Sequence, residues 1–292
     1  MARALAGVVD DLTVVTNVGD DDEIHGVHVS ADLDTVLYTL AGLEGLQGWG
    51  IAGDTFTVMD RMERLGHDTR FRLGDLDLAT CLRRTVRLQA GTPLSEIAAS
   101  LAEAFGVTTT LLPATDDRLR TEVQIDDGTW LKFQDYFVLR GHRDRVAALR
   151  FAGAAEAVPA PGVGDAIGTA DLVVIAPSNP PLSIWPILAV PGIRQAVEAA
   201  SRVVAVSPLF GGKALKGPAD RVMAGLGLPP GNAGVLAAYE GLLDALIVDV
   251  ADAADVAGLT GAVELVAADT RIADPAAGVA FGRWLLEWAS NA

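Results

Sequence analysis

Short apolar segments alternate with amphipathic segments through the second half of the chain. Four runs rich in Val, Ile and Leu have the length of strands, and each follows a stretch whose apolar residues recur at helical spacing. The strand-like runs are DLVVIAP (171–177), RVVAVSP (202–208), LIVDVAD (246–252) and VELVAADT (263–270). Continuously apolar strands between helices are typical of a parallel sheet covered on both faces. The pattern therefore predicts a doubly wound, three-layer α/β fold.

The N-terminal part contributes one further strand-like run, LTVVTNV (12–18), which we expect to join the same sheet. The segment 46–145 has a different pattern, mostly helical with one region of alternation. We interpret it as an insertion placed as a cap over the ligand edge of the sheet. The predicted domains are a Rossmann-like α/β core, residues 1–45 and 146–292, and this helical plus hairpin cap, residues 46–145.

Local signals set the expected elements of the insertion. One helix is predicted after Thr92 and Pro93, as N-cap and first-turn residue, with Gly106 as its stop. A second helix is predicted over LATCLRRTVRLQ (78–89). Residues 121–140 alternate around an Asp-Gly pair, which is typical of a β-hairpin.

Acidic residues are concentrated directly after the first strand. NVGDDDEIHGVHVSADLDT (17–35) places four acids in a row and two more shortly afterwards: Asp20, Asp21, Asp22, Glu23, Asp32 and Asp34. Like charges held together cost free energy unless protons, cations or water offset the repulsion. Acid-rich turns are commonly solvated surface. Here, however, the acids follow a candidate parallel strand, where open α/β sheets bind their ligands, and this position favours a functional role.

Composition narrows the class of protein. The 292 residues are 50% hydrophobic and 21% charged, which is typical of a globular protein with a sizeable core. A formal charge of -16 argues against binding to nucleic acid or to an anionic membrane. The single cysteine, Cys81, excludes an intramolecular disulfide. With no secretory signal and no apolar run near the ~20 residues of a membrane span, we expect a cytoplasmic protein.

Two polar turns follow predicted strands. APSNP (176–180) offers small side chains and backbone N–H groups that can hold a phosphate, although a simple proline-rich turn explains it equally well. SPLFGGKALKGPADRVM (207–223) brings Lys213 and Lys216 to the same edge. The chain has neither a G-x-S-x-G elbow nor a Walker motif. Carboxylates for a hard cation beside phosphate-binding turns favour phosphoryl or phosphate-ester transfer without a covalent intermediate.

Six motifs, in order, resemble those of the CofD/FbiA family of 2-phospho-L-lactate transferases, which build the deazaflavin coenzyme F-420. They are NVGDDDEIHGVHVSADLDTVLYTLAG, GWGIAGDTF, GDLDLAT, FQDYFV, APSNPPLSIWPIL and SPLFGGKALKGPAD. The resemblance implies a donor in which a three-carbon acid is joined through a diphosphate to guanosine. It also implies transfer of 2-phospho-L-lactate or phosphoenolpyruvate to the deazaflavin Fo, release of GMP, a magnesium ion and a homodimer.

The resemblance also implies residue roles. Asp20 and Asp34 are expected to be the catalytic metal ligands, with Asp21 and Asp32 as second choices. Residues expected on the donor side are Ser178, Asn179, Ser207 and Lys216. Residues expected on the acceptor side or in the cap are Asn17, Trp49, Asp54, Phe56, Gln134 and Asp135. Trp49 and Phe56 are also compatible with ordinary core positions, and Gln134 with a hydrogen bond inside its hairpin.

The chain departs from the family pattern at three places. Family members usually begin with a strand and a Gly-rich loop before the helix that corresponds to ARALAGVV, and we expect the chain to be truncated there. Cys81 and Lys132 stand where the family usually has histidine. Two alternatives therefore stay open: a non-catalytic nucleotide-sugar-binding regulator of the YvcK type, and a pseudoenzyme lacking the Gly-rich loop. The motifs GWG, GDTF and FQDYF favour the transferase.

Overall fold

The computed structural model describes residues 1–45, 48, 50–215, 217–256, 258–259 and 261–291. Its strands are β1 Thr13–Thr16, β2 Asp22–Ile24, β3 Val27–Val29, β4 Thr110–Pro113, β5 Arg120–Ile125, β6 Trp130–Lys132, β7 Val146–Ala152, β8 Val173–Ile175, β9 Val203–Val206, β10 Leu209–Phe210, β11 Lys213–Ala214, β12 Ala245–Asp249 and β13 Glu264–Ala268. Its α-helices are α1 Ala2–Ala6, α2 Ala31–Leu40, α3 Thr57–Arg64, α4 Asp75–Gln89, α5 Leu94–Ala104, α6 Val163–Thr169, α7 Trp185–Leu188, α8 Ile193–Glu198, α9 Ala219–Gly225, α10 Asn232–Ala238, α11 Ala253–Val256 and α12 Pro275–Asn291. Two π-helical turns span Asp135–Leu139 and Pro180–Ile184, and a 3-10 turn spans Val250–Asp252.

The four apolar runs of the second half form one parallel sheet in the order β13, β12, β9, β8. In its centre Ile247 of β12 lies between Val206 of β9 and Val266 of β13. Every residue of β9 and β12 is buried, because both faces of these strands are covered. This burial explains why the strands are continuously apolar rather than alternating.

Each face of this sheet has its own apolar cluster. Successive residues of a strand point to opposite faces, so Val203 and Ala205 of β9 pack in a cluster with α6, α8 and α10. Val204 and Val206 pack instead with α1 and α12. Helices therefore lie on both sides of the sheet, and the predicted doubly wound, three-layer α/β fold is confirmed. No described helix has both the length and the apolar composition needed to cross a membrane.

The expectation that the first apolar run joins this sheet is wrong for the described residues. β1 pairs in parallel with β4, with Val15 opposite Leu112, and the pair forms a separate two-stranded sheet. Both residues still pack against the cluster on the α6, α8 and α10 face, so the pair enlarges the same core. We did not anticipate β4 because TLLP is only four residues long and ends in proline, which is rare inside sheets.

The division into a core, residues 1–45 and 146–292, and a cap, residues 46–145, stays a prediction. β4 lies within 46–145 and pairs with β1, so this segment also supplies a strand beside the predicted core. Helix α4 begins three residues before the predicted start, at Asp75. Helix α5 begins after Pro93 rather than after Thr92, because Asp116 caps it: its carboxylate accepts from the Ser95 N–H at 2.6 Å.

The predicted hairpin is present as β5 and β6, which pair in antiparallel fashion. Gly128 occupies the turn with φ +85°, a conformation that glycine adopts without strain. The hairpin was expected to extend to residue 140, but the chain turns into the π-helical segment Asp135–Leu139. A third strand, β7, pairs along the other edge of β5, giving the order β6, β5, β7.

Candidate functional site

A cavity of about 1380 Å³ lies at the end of the strands where a doubly wound fold binds ligands. Its wall includes Asp20, which follows β1, and Ser178 with Asn179, which follow β8. Pro208 follows β9 and Thr270 follows β13, and both contribute to the same wall. The carboxyl ends of both parallel sheets therefore meet at one cavity.

Most of the predicted site residues share this cavity. Its wall contains Asp20, Asp32, Asp34, Asp54, Phe56, Gln134, Ser178 and Asn179. The wall does not include Asn17, Asp21 and Ser207, which are buried, or Asp135, which is half-buried. Trp49 and Lys216 lie outside the described residues. The fold thus brings acidic and amide side chains from distant segments to one place.

Side-chain hydrogen bonds fix the turn that follows β1. Asn17 accepts from the Gly19 N–H with its Oδ1 at 2.7 Å and donates from Nδ2 to Asp32 Oδ2 at 3.0 Å. Gln134 donates from Nε2 to the Asp20 carbonyl oxygen at 2.6 Å. A Cβ on Gly19 would lie 2.4 Å from Thr121 Oγ1, so a larger residue does not fit. These hydrogen bonds of Asn17 and Gln134 therefore fix the position of the acidic segment after β1.

Three carboxylates of this region are buried and incompletely hydrogen-bonded. Asp20, Asp21 and Asp34 are at most 4% exposed. One oxygen of each, Oδ1 in Asp20 and Asp21 and Oδ2 in Asp34, has no hydrogen-bond partner among the described residues. Asp21 is otherwise engaged, because it accepts from Ser30 Oγ at 2.9 Å and its Oδ2 lies 3.1 Å from His28 Nε2. Asp20 and Asp34, unlike Asp21, are residues of the cavity wall, and each has one buried oxygen without a partner among the described residues.

Burial raises the pKa of three carboxyl groups on this wall, those of Asp20, Asp32 and Asp34. The pKa of Asp34 is raised to about 6 by burial, against the opposing effect of the Arg84 guanidinium. Burial also raises the pKa of Asp32 to about 6. For Asp20, burial first and the neighbouring Asp32 second raise the pKa well above its ordinary value. A cation bound between these groups would favour their ionised forms and offset the cost of burying them.

The unpartnered oxygens fit a hard divalent cation. Mg²⁺ prefers one or two carboxylates and completes its octahedral shell with water and substrate oxygens. Asp20 Oδ1 and Asp34 Oδ2 are carboxylate oxygens without a partner among the described residues, and both residues line the cavity together with Asp32. The ligand atoms of these three residues do not all lie within 4.8 Å of one another.

A second set of candidate ligands fits less well. Ligand atoms of Asp34, Asp77 and Cys81 lie within 4.8 Å of one another. However, burial raises the pKa of the Cys81 thiol, which keeps it protonated, and Asp77 already accepts from the Tyr38 hydroxyl at 2.9 Å.

The polar turn after β8 presents an unused amide donor. Asn179 Oδ1 accepts from the Leu182 N–H at 3.2 Å and thereby begins the π-helical turn. Its Nδ2 is buried with no partner in the described part of the chain. Ser207 donates to Asn232 Oδ1 at 2.6 Å and so supports the end of β9. An amide donor on the wall is suited to a phosphate oxygen.

Aromatic side chains form another part of the wall. Phe133 and Phe137 stack with ring centroids 5.2 Å apart, and both line the cavity. Phe56 is 41% exposed, with the Arg72 guanidinium 5.1 Å from its ring centroid. Asp54 caps α4, because its carboxylate accepts from the backbone N–H groups of residues 76 and 77 at 2.9 and 3.1 Å. Flat aromatic surfaces of this kind suit a planar ring ligand.

The aromatic pair and one buried cation are features that the sequence pattern did not predict. Phe133 and Phe137 belong to FQDYFV, whose alternation was interpreted as hairpin. Arg84 is 0% exposed and forms an ion pair with Asp34. The available signal was a basic residue on the helix face that also carries Cys81, three residues earlier. A charge on the apolar face of a predicted helix needs a buried partner.

Comparisons with known proteins agree with these features. The family model described as 2-phospho-L-lactate transferase CofD matches residues 1–273. A phosphoenolpyruvate transferase of Streptomyces griseus is 43% identical over 265 residues, 88% of this chain and 81% of that protein. A 2-phospho-L-lactate transferase of Methanopyrus kandleri is 39% identical over 291 residues, 98% of this chain and 92% of that protein. The crystal structure of a upf0052 family protein from Bacillus halodurans superposes with a TM-score of 0.62 at 15% identity, covering 98% of this chain and 94% of that one, and shares the fold.

Proposed function

Because the chain belongs to the CofD family of 2-phospho-L-lactate transferases, we propose that it transfers a phospho-three-carbon acid unit to the deazaflavin Fo in coenzyme F-420 biosynthesis. The donor is a three-carbon acid joined through a diphosphate to guanosine, and GMP is the leaving group. The observation that carries this proposal is the shared cavity, whose wall includes residues with buried carboxylates, an asparagine with an unused amide donor and two stacked aromatic rings.

The proposed reaction is an in-line displacement at phosphorus. The terminal ribityl hydroxyl of Fo attacks the phosphorus next to the three-carbon acid and loses its proton, and the bond from that phosphorus to the GMP oxygen breaks. When bound, Mg²⁺ neutralises the diphosphate charge, and Asp20 and Asp34 would hold it, with Asp32 beside them. An acidic chain with a net charge of -16 needs such a local cation to accept an anionic donor.

The remaining wall residues bind and orient the two substrates. Asn179 Nδ2 is placed to donate to a phosphate oxygen, which satisfies a buried donor that has no partner within the described ranges. Phe133 and Phe137 offer a flat apolar surface to the deazaflavin ring. Gln134 holds the Asp20 carbonyl while lining the cavity, so it connects the acceptor side to the acidic segment. Orientation of two bound reactants supplies much of the rate in such a transfer.

The alternative of a non-catalytic nucleotide-sugar-binding regulator is not favoured. Relatives about 40% identical over most of the chain are named transferases, as the Streptomyces griseus and Methanopyrus kandleri proteins illustrate. Their names differ in the three-carbon unit, phosphoenolpyruvate in one and 2-phospho-L-lactate in the other. We therefore propose testing both units in the donor.

The direct test is a transfer assay. Purified protein is mixed with Fo, Mg²⁺ and either the enolpyruvyl or the lactyl guanosine donor, and the mixture is separated by anion-exchange chromatography. Equal amounts of GMP and of a more anionic deazaflavin should form with at least one donor. The Asp20→Asn variant should be inactive, while Glu23→Gln, which alters an exposed acid on the adjacent strand β2, should keep full activity. Absence of product with both donors would reject the proposed reaction.

A homodimer is part of the same proposal. Light scattering of the purified protein should give twice the mass of one chain, and a monomer that retains full transfer activity would remove the dimer from the account.

A further inference from the structure

Arg84 is a buried cation on helix α4. Its side chain is 0% exposed and lies on the buried face of the helix with Thr80 and Cys81. It does not contribute to the wall of the cavity. A buried arginine is costly unless it is paired, and an apolar residue of similar volume often gives equal or greater stability. Its presence therefore calls for a role beyond packing.

The contacts of Arg84 join three elements. Its Nη2 donates to Asp34 Oδ1 in the first turn of α2. Its Nη1 donates to the His28 carbonyl oxygen on β3 at 3.1 Å and lies 3.9 Å from Cys81 Sγ. Because the guanidinium is planar, its two terminal nitrogens serve two acceptors in a fixed geometry. The position of Asp34 is thereby tied to both β3 and α4.

The two carboxylate oxygens of Asp34 therefore have different surroundings. Oδ1 is engaged by Arg84, whereas Oδ2 is buried and has no partner among the residues that the structure describes. Asp34 itself belongs to the wall of the cavity, while Arg84 lies behind it. A carboxylate bound on one oxygen can rotate little about its terminal bond, so the second oxygen keeps a defined direction.

We propose that Arg84 is a positioning residue that holds Asp34 so that Oδ2 is presented to the cavity as a ligand for a divalent cation. This inference rests on the proposed function, since it concerns the cation site of that function. Arg84 touches neither substrate nor cation in this account and acts only through Asp34. Partners that orient a metal ligand typically change metal affinity ten- to hundredfold when they are removed.

Two substitutions separate charge from geometry. Arg84→Lys keeps the positive charge, but its single nitrogen cannot reach the Asp34 carboxylate and the His28 carbonyl in the same arrangement. Arg84→Met keeps volume and removes the charge. Arg83→Lys is the matched control, because Arg83 is the exposed neighbour on the same helix and contacts Ser100 on α5.

The measurement is Mn²⁺ affinity of the substrate-free protein, determined by electron paramagnetic resonance of the unbound ion. Thermal unfolding is recorded for each variant so that affinity is expressed per folded molecule. We expect about ten- to hundredfold weaker binding in Arg84→Met and a smaller but clear loss in Arg84→Lys. Arg83→Lys should bind like the wild type. In Arg84→Ala, millimolar guanidinium should restore part of the affinity, and methylammonium should restore less.

Three outcomes would overturn the inference. They are wild-type affinity in folded Arg84→Lys and Arg84→Met, a wild-type protein that binds no Mn²⁺, or an equal loss in Arg83→Lys. If Arg84→Met does not fold, the Arg84→Lys result decides. A wild-type protein that binds Mn²⁺ with the expected dependence on Arg84 but transfers nothing to Fo would reject the proposed function and leave this inference standing. If the wild type transfers the unit to Fo but the Arg84 variants bind Mn²⁺ as tightly as the wild type, this inference is rejected and the proposed function stands.

Discussion

Replacing Asp20 with asparagine should stabilise the metal-free protein at alkaline pH and abolish its response to magnesium. Asp20 is 4% exposed, and its Oδ1 has no partner among the described residues. Burial, with Asp32 nearby, raises the pKa of Asp20, so the ionised form is disfavoured in the folded state. Asparagine has nearly the same shape without the charge. The substitution therefore removes a folding penalty together with a cation ligand.

The magnitude follows from the buried group. An unsatisfied buried group costs about 1–3 kcal/mol and more when it is charged, so we expect removal of the charge to stabilise by about 1–3 kcal/mol; 1 kcal/mol shifts the melting temperature of chains of 150–250 residues by about 2–4 °C. We therefore expect Asp20→Asn to melt roughly 2–12 °C higher than the wild type in EDTA at pH 8.5. A raised carboxyl pKa gives stability that is present at low pH and lost as pH rises through the folded pKa. The advantage of the variant should accordingly shrink toward pH 5.

Differential scanning fluorimetry with and without Mg²⁺ provides the measurement. A ligand at 100 times its dissociation constant stabilises by about 2.7 kcal/mol, so the wild type should gain several degrees from saturating Mg²⁺ and the variant none. Glu23→Gln is the control, since Glu23 is an exposed acid on the adjacent strand β2, and its substitution should change neither the metal-free melting temperature nor the Mg²⁺ shift. A lower melting temperature for metal-free Asp20→Asn at pH 8.5, or an undiminished Mg²⁺ shift in that variant, would refute the reasoning.

Three further predictions address other parts of the site. Because burial raises the pKa of both Asp32 and Asp34 to about 6, protons should compete with the cation below that pH. Mn²⁺ affinity should fall from pH 7 to pH 5, and a pH-independent affinity would contradict this. Gly74→Ala should destabilise the protein by about 1–3 kcal/mol in urea unfolding, because the new Cβ would lie 2.0 Å from Asp54 Oδ2. An unchanged midpoint of the urea transition would show that Asp54 can move away from the new Cβ at no cost in stability. Phe133→Leu should raise the KM for Fo roughly 2- to 10-fold, the equivalent of a lost aromatic contact of about 0.5–1.5 kcal/mol, while the KM for the nucleotide donor stays the same; equal changes in both would argue against stacking on Fo.

Local sequence patterns were sufficient for the regular part of the fold. β9 is apolar at every position, and β12 at every position except its last, Asp249, because both of their faces are covered; such runs are recognisable without any tertiary information. β4 was missed because its pairing with β1 joins residues about a hundred positions apart. The cap of α5 was assigned to Thr92 for a similar reason. Its true partner, Asp116, lies 21 residues beyond Ser95 and becomes adjacent only in the folded chain.

The candidate site shows the same division. The acidic segment was recognisable because acids directly after a strand occupy the ligand edge of an α/β sheet, whereas the choice of Asp20 and Asp34 within it comes from the family resemblance. The different environments of these two residues were not recognisable. One carboxylate oxygen of Asp34 is paired with Arg84, whereas Asp20 is held by a hydrogen bond from Gln134 to its backbone carbonyl. Both partners come from the segment 46–145. Helical spacing places Arg84 on a face of α4 but does not reveal what that face meets.

Anomalous diffraction from crystals grown with Mn²⁺ and GMP would show whether the acidic segment after β1 holds a divalent cation against a phosphate. We expect a single strong manganese peak in the cavity, bonded to Oδ1 of Asp20 and Oδ2 of Asp34 at about 2.0–2.3 Å, as is usual for hard-cation coordination, with a phosphate oxygen among its ligands. A nucleotide bound in the cavity with no manganese at these two carboxylates would contradict this expectation.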